Sequence, residues 1–348
     1  MKLLNIAFRL VGVVCLVFGL MAMAGALSFI SPEAALVIAL APFPVNPEIL
    51  AAAIAYRNRR MIADDVLPRV GVGQQSYKYW TWDLAEGFTV PNTHVGRTSR
   101  PNQVEFSATE QSSTTKDYAL DDAIPYADLQ NAPAGINPRT RAAEGLMDLI
   151  LLDREVRTAN LVFDGDLYAA NRKKPLTGSD QWDNPDSDPI DEIAEALEAP
   201  LYRPNRMTIG RAAFAKLARH PKIVKAMHGN AGDSGIATRE FLADLFELDQ
   251  INVGEAFVNQ AKKGKAASLA QAWGKHCLLH YTDTLSNPAA GQSRPTFGFT
   301  AQWGDRIGGE QEDKNIGMRG GVIVRVGESV DEHIVAADLA FLLQNVVS

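Results

Sequence analysis

Histidine and cysteine come together in this chain at His276, Cys277 and His280. In the strand expected over "KHCLLHYT", the two histidines share one face and Cys277 takes the other. A zinc site needs three or four converging ligands; the local spacing supplies no third, and Trp273, Cys277, Leu279 and Tyr281 read more simply as the apolar side of a half-buried strand. Carboxylates pair at Asp164 with Asp166 and at Asp186 with Asp188, as a magnesium site would ask. Both pairs stand in Gly/Asn/Pro-rich loops, where Asp is favoured by hydrogen bonds to nearby backbone. The glycine-rich "GNAGDSG", residues 229–235, precedes a helix. It lacks the Lys and Ser/Thr of a phosphate loop and the G-x-G-x-x-G spacing of a dinucleotide fold, so it reads as a connection. The remaining histidines, at 94, 220, 228 and 333, are scattered, and neither a G-x-S-x-G elbow nor an H-E-x-x-H pair occurs. The sequence nominates no general base, so the expectation is no enzyme, no cofactor and no metal.

The elements that would position such residues suggest a different purpose. At 348 residues the chain is long enough for two domains, or for one with long excursions. Its formal charge of -7, from 41 acidic and 34 basic residues, argues against tight sequence-independent binding of nucleic acid. Short basic clusters such as Arg57, Arg59 and Arg60 leave room for a locally positive face. The two cysteines, Cys15 and Cys277, make no C-x-x-C pair and no disulfide framework.

"NPEILAAAIAYRNRRMI", residues 46–62, reads as a helix with Asn46 as cap and Pro47 in the first turn. In "KYWTWDLAEGFTVPNTHVGRTSRPNQVEF", residues 78–106, the aromatics alternate. Tyr77, Tyr79 and Thr81 face one way and Lys78, Trp80 and Trp82 the other, and after a Pro/Gly/Asn-rich middle Val104, Phe106 and Ala108 resume the alternation. Two strands with a long irregular tip make a hairpin. A helix follows over 138–164, with a predicted stripe of Ala142, Gly145, Leu149, Leu152, Val156, Ala159 and Phe163, and with Asp153 and Arg157 spaced for an i,i+4 pair. Residues 165–189 read as loop or insertion. Beyond Pro189 the pattern becomes α/β: "IDEIAEALEA", "RAAFAKLARHPKIVKAM" and "TREFLADLFEL" as helices, "RMTIG", "INVGEAFVN" and "KHCLLHYT" as strands. The tail from Gly317 returns to alternating β, which predicts a discontinuous domain.

The first residues are of another kind. From Leu10 to Pro32 there is no charged side chain, and "LVGVVCLVFGLMAMAGALSFI" has the length and flanks of a secretory signal or of one membrane span. A buried arm in an oligomer and an upstream choice of start codon are the alternatives, and an exported or membrane-anchored protein of unassigned role is the function the first pair would imply.

Several longer phrases carry a resemblance: "FPVNPEILAAAIAYRNRRMIADDVLPRV", the hairpin just quoted, "DYALDDAIPYADLQNAP", "LILLDREVRTANLVF", "RPNRMTIGRAAFAKLARHPKIV" and "INVGEAFVNQAKKGK". In number and order they resemble the major capsid proteins of tailed bacteriophages and prophages, over nearly the whole chain after the leader. The resemblance implies an α+β, Hong Kong 97-like fold: an N-terminal arm (43–75), an extended β-hairpin E-loop lying over a neighbouring subunit (76–110), a peripheral domain with a long spine helix (111–189 and 318–348), and an axial α/β domain (190–317). Residues 1–42 are then an apolar extension beyond the family pattern. It further implies pentamers and hexamers of one chain closing into an icosahedral shell around double-stranded DNA, in the virion and assembled in the bacterial cytoplasm. Scaffolding, protease, portal and decoration proteins are further candidate partners; contact with the DNA is expected to be weak and non-specific, and no stable membrane partner is expected. An extended hairpin has little core of its own, so Trp80, Trp82, Phe88 and Phe106 become the candidates for intersubunit contact. A soluble α/β enzyme using residues 190–300 remains the contrasting expectation, and would need a pocket with converging Asp or His side chains.

Overall fold

The computed structural model describes residues 45–82, 86–105, 107–133, 135–229, 235–262, 264–283, 286 and 294–348. The readings of residues 1–42 and of Phe106 fall outside them. Among the described residues no helix is long and apolar enough to cross a membrane.

The chain is built on two five-stranded sheets. The first is centred on the long β13 (Gly321–Ile334). Along one edge β13 pairs antiparallel with β4 (Lys116–Pro125), and along the other with β12 (Ile307–Asp313) and β11 (Gly298–Trp303); β1 (Arg69–Val72) adds parallel to β11. Across this sheet lie α1 (Pro47–Ala55) and the 25-residue α4 (Pro138–Val162), the second about 37 Å long at 1.5 Å per residue. Ile49 and Ala53 of α1, Met147 and Ile150 of α4, and Val324 and Val326 of β13 form one core. Each fully buried aliphatic side chain contributes about 1.5–3 kcal/mol.

Both helices start as the sequence predicts. Asn46 and Asn137 each accept a hydrogen bond from a first-turn amide at 3.0 Å, and each is followed by proline at the first helical position. Helix α1 stops at Ala55, seven residues short of its expected end. Tyr56 turns extended, and Tyr56 Oη and Asn58 Nδ2 donate to Asp148 of α4 at 3.1 and 2.7 Å. Helix α4 also corrects its predicted stripe. The buried face is Ala143, Leu146, Met147, Ile150, Leu151, Arg154, Glu155, Thr158, Ala159 and Val162, whereas Gly145 and Leu149 point outward. Arg154 and Glu155 join the inner face because partners far along the chain neutralise them there.

The second sheet runs β5 (Lys173–Pro175), β14 (Ala340–Gln344), β10 (Cys277–His280), β6 (Arg206–Gly210), β7 (Gln250–Gly254). Helices α5 (Pro189–Glu198), α6 (Arg211–Leu217), α7 (Pro221–His228) and α8 (Arg239–Phe246) cover it with a core that includes Ile193, Met207, Leu217, Ile223, Leu242 and Leu343. The single helix expected over "RAAFAKLARHPKIVKAM" is two, because Pro221 opens a new helix with His220 as its cap. The sheets exchange strands along the chain. β1 and β4, from the first half of the sequence, pair with β11 and β13 near its end, and β14 leaves the tail to pair with β10.

Hydrogen-bonded to neither sheet is a two-stranded hairpin, β2 (Ser76–Trp82) with β3 (Ala108–Thr114), in register from Ser76 opposite Thr114 to Trp82 opposite Ala108. Its return strand begins at Ala108 rather than at Val104, so the irregular tip is longer than the alternation suggested.

Candidate assembly surface

The residues with the chemistry of catalysis or metal binding occupy structural posts. His280 is fully buried, its Nδ1 and Nε2 within 2.9 and 3.1 Å of the hydroxyls of Thr282 and Thr208. Burial, and then the nearby Arg206, push its pKa down to about 3, which keeps the ring neutral. Cys277 is buried beside it in the chain, and burial raises its thiol pKa, the reverse of a reactive cysteine. Asp164 accepts from the amide of Asp166 at 3.0 Å, and Asp188 caps α5 while holding Lys222 at 2.5 Å. Among the described residues no group of three or more His, Cys, Asp or Glu is arranged to hold a metal ion. Most of the glycine-rich loop lies outside those residues.

The hairpin root is where side chains converge. On one face Tyr77, 7% exposed, and Tyr79 pack against Phe299 of β11 and His333 of β13, with Tyr79 edge-on to Phe299 at 5.8 Å. Beneath them Asp331 is the common acceptor: Tyr77 Oη lies at 3.2 Å, Ser113 Oγ at 2.7 Å and His333 Nε2 at 2.6 Å from its Oδ2. Burial opposes the charge of Asp331, but the hydrogen bonds from His333 and Ser113 outweigh it and hold the carboxyl below its usual range. Both strands of the hairpin are thus tied to β13.

Trp80 lies on the opposite face, opposite Glu110, and is half-buried. Trp82 is the last paired position of the strand, opposite Ala108. Phe88 is 51% exposed and meets Tyr202 of its own chain edge-on at 5.6 Å, so one candidate for contact with a neighbour has an internal partner as well. From Phe88 to Glu105 every residue is exposed.

The frame behind the root is a buried charge network that the sequence reading did not find. Glu155 accepts from the amides of Ile62 and Ala63 at 2.7 and 2.9 Å and from Trp273 Nε1 at 2.6 Å. It thereby caps α2 (Ala63–Val66) from across the core and joins it to α4 and to Trp273, on the approach to the second sheet. Burial raises its pKa, against these hydrogen bonds. Arg154, 1% exposed, pairs with Asp64 and donates to Thr300 at 3.0 Å. Glu328 of β13 receives Arg69 at 2.9 Å and Arg306 at 3.2 Å. Burial works against its charge, but Arg69, Arg154 and Arg306 overcome it and lower its pKa. The predicted Asp153–Arg157 pair forms, and Arg157 also reaches Glu332 at 2.9 Å. A signal for the network was present: the spacing of Leu146, Met147, Ile150 and Leu151 continues through 154, 155 and 158.

No family model matches the chain. It is 54% identical, over 308 residues, to the major capsid protein of Pseudomonas phage JBD67, covering 88% of this chain and 99% of that one. It is 25% identical to the major capsid protein of Burkholderia phage BcepMu, over 87% of this chain and 96% of that one. Among solved structures, a phage-related protein of Bordetella bronchiseptica RB50 superposes with a TM-score of 0.67 at 25% identity, over 87% and 97% of the two chains. The capsid of cyanophage P-SCSP1u shares the fold, with a TM-score of 0.53 at 10% identity over 83% and 89%. With 54% identity across 99% of the length of a phage major capsid protein, this chain belongs to the phage major capsid protein family and has its α+β, Hong Kong 97-like fold.

Proposed function

We propose that copies of this chain associate as pentamers and hexamers and close into an icosahedral phage head around double-stranded DNA, assembled in the bacterial cytoplasm. In this reading residues 43–75 are the N-terminal arm, the hairpin of 76–110 is the E-loop and α4 is the spine helix. The β13 sheet is the core of the peripheral domain, drawing β11 and β12 from the sequence between 190 and 317, and the β6 sheet with its helices is the axial domain. The observation that carries the reading is the hairpin itself: its root is fixed to β13 through Tyr77 and Asp331, while residues 88–105 are exposed throughout. A rigidly rooted arm with an uncovered apolar tip suits contact with another molecule. The net charge of -7 suits a container whose DNA must leave again, since counterion release from many phosphate contacts would hold it to the wall.

The test is paired. Replacing Trp80 and Trp82 together by Ala removes two aromatic side chains from the hairpin, and central interface aromatics cost about 2 kcal/mol or more each on truncation. The dissociated variant should keep its circular dichroism spectrum while the yield of closed particles, counted by sedimentation, falls. A normal particle yield would remove the hairpin from assembly; loss of helix signal would place the tryptophans in the subunit's own core.

A further inference from the structure

The hairpin touches its own chain at a second place, beyond the root. Past Trp82 the backbone makes a short 3-10 turn, Glu86–Phe88. The Glu86 carboxylate reaches across the hairpin and accepts from the amide of Ser107 at 2.9 Å and from the Ser107 hydroxyl. This clasp closes the base of the tip, so Phe88 is carried by both limbs at once. Its ring meets Tyr202, in the link between α5 and β6, edge-on at 5.6 Å, and Tyr202 lies 5.5 Å from Tyr281, just after β10. Both spacings are those at which aromatic pairs attract.

Tyr202 stands on a stiff platform. Asn205 and Thr282 exchange hydrogen bonds: Asn205 Nδ2 donates to the Thr282 carbonyl at 3.1 Å, and Asn205 Oδ1 accepts from the Thr282 amide at 2.9 Å. Arg203 donates to the carbonyl of Phe246 at 3.1 Å. Tyr281 donates its amide to the carbonyl of Leu339 at 3.0 Å and accepts from the amide of Phe297 at 2.9 Å. The platform therefore belongs to the second sheet, whereas Tyr77 and Asp331 fix the hairpin root to the first. Phe88 bridges the two. With 51% of the residue exposed, its contact is too small to hold the hairpin in place. It is large enough to choose a direction for a two-stranded ribbon that has only marginal stability of its own.

We propose that Phe88 is a positioning residue that acts inside its own subunit: its contact with Tyr202 aims the arm, so that a subunit meets its neighbour with the arm already in the binding direction. This rests on the reading of the hairpin as an intersubunit arm, and it takes Phe88 out of the set of residues that touch the neighbour. An arm that swings on its root spends only a fraction of its time in the competent direction, and the apparent affinity between subunits falls by that fraction.

Variants of the full chain test it. Phe88→Ala and Tyr202→Leu should each raise, roughly fivefold, the concentration of dissociated subunit at which closed particles first sediment. The double variant should raise it no further, since either change removes the same contact. Phe88→Tyr and Tyr202→Phe keep both rings and should assemble as the parent does. In the dissociated subunit, amide hydrogen exchange over residues 79–82 and 108–111 should quicken in Phe88→Ala and in Tyr202→Leu, with the midpoint of urea unfolding unchanged. If Phe88→Ala is impaired while Tyr202→Leu assembles normally, or if the two losses add, Phe88 meets the neighbour instead and the positioning role is overturned while the arm stands. A lowered threshold in either variant would show that the contact restrains the arm, and an unchanged threshold in both that it does nothing; each overturns the proposal. The arm itself is tested apart, by a short Gly-Ser turn in place of residues 90–104: normal assembly of that variant would remove the reading on which the proposal rests.

Discussion

Charged residues in the core of this chain behave as joints, and His280 shows how one ionisable side chain can be put to structural use. Its ring sits neutral between Thr208 and Thr282, and burial, helped by Arg206, pushes its pKa down to about 3. Below the ordinary histidine pKa of about 6.5, the unfolded chain takes up a proton at this position and the folded chain does not. Stability from His280 is therefore fully present above that pH and is lost as pH falls toward the folded value, by up to about 1.4 kcal/mol per pH unit. His220 and His276, also lowered by burial, act in the same direction. Asp64, Glu328 and Asp331, whose pKa values are lowered, withdraw stability only in the more acid range below the ordinary carboxylate values. Urea unfolding of the dissociated subunit at about pH 6.5 and about pH 5 separates the two groups. The parent should lose stability across that interval, and His280→Gln should lose less. An equal loss in both would mean that His280 is protonated in the folded state.

At the scale of elements, the hairpin depends on one root. Tyr77 is buried against Phe299 and its hydroxyl reaches Asp331, so ring and hydroxyl can be weighed separately. Tyr77→Phe should cost about 1 kcal/mol, because Ser113 and His333 still satisfy Asp331. Tyr77→Ala opens a cavity under the root and should cost about 3–5 kcal/mol in urea unfolding. Equal costs would mean that ring packing does not anchor the hairpin. How far the sequence foretells these elements is visible in the same places. The hairpin strands are legible because side chains alternate with period two, but aromatics occupy both faces, and alternation alone does not say that the tyrosines go in and Trp80 stays half out. Helix α4 is legible in its length. Its buried face is not, since a count of apolar residues passes over Arg154 and Glu155, whose burial is made tolerable by Asp64, Thr300 and Trp273, residues distant in sequence. The early end of α1 has the same origin, in the hold of Asp148 on Tyr56 and Asn58.

For the molecule as a whole, the chain passes between the two sheets: β1 and β4 pair with β11 and β13 from near its end, and β14, next after β13, crosses to β10. The alternating β pattern of the tail announced a return to the first sheet, which β13 makes; the onward step of β14 is set by its register with Cys277–His280 and has no local signature. The quoted phrases carried the family, whereas a surface that would join copies is less legible, because a side chain exposed on one chain has no partner there to reveal its use. The measurement that tests this account most directly is electron microscopy of the purified full-length protein, with sedimentation across a range of salt and protein concentrations. The account predicts capsomers of five and six copies and uniform closed shells; a protein that stays monomeric under every condition, with or without its co-expressed assembly partners, would contradict it.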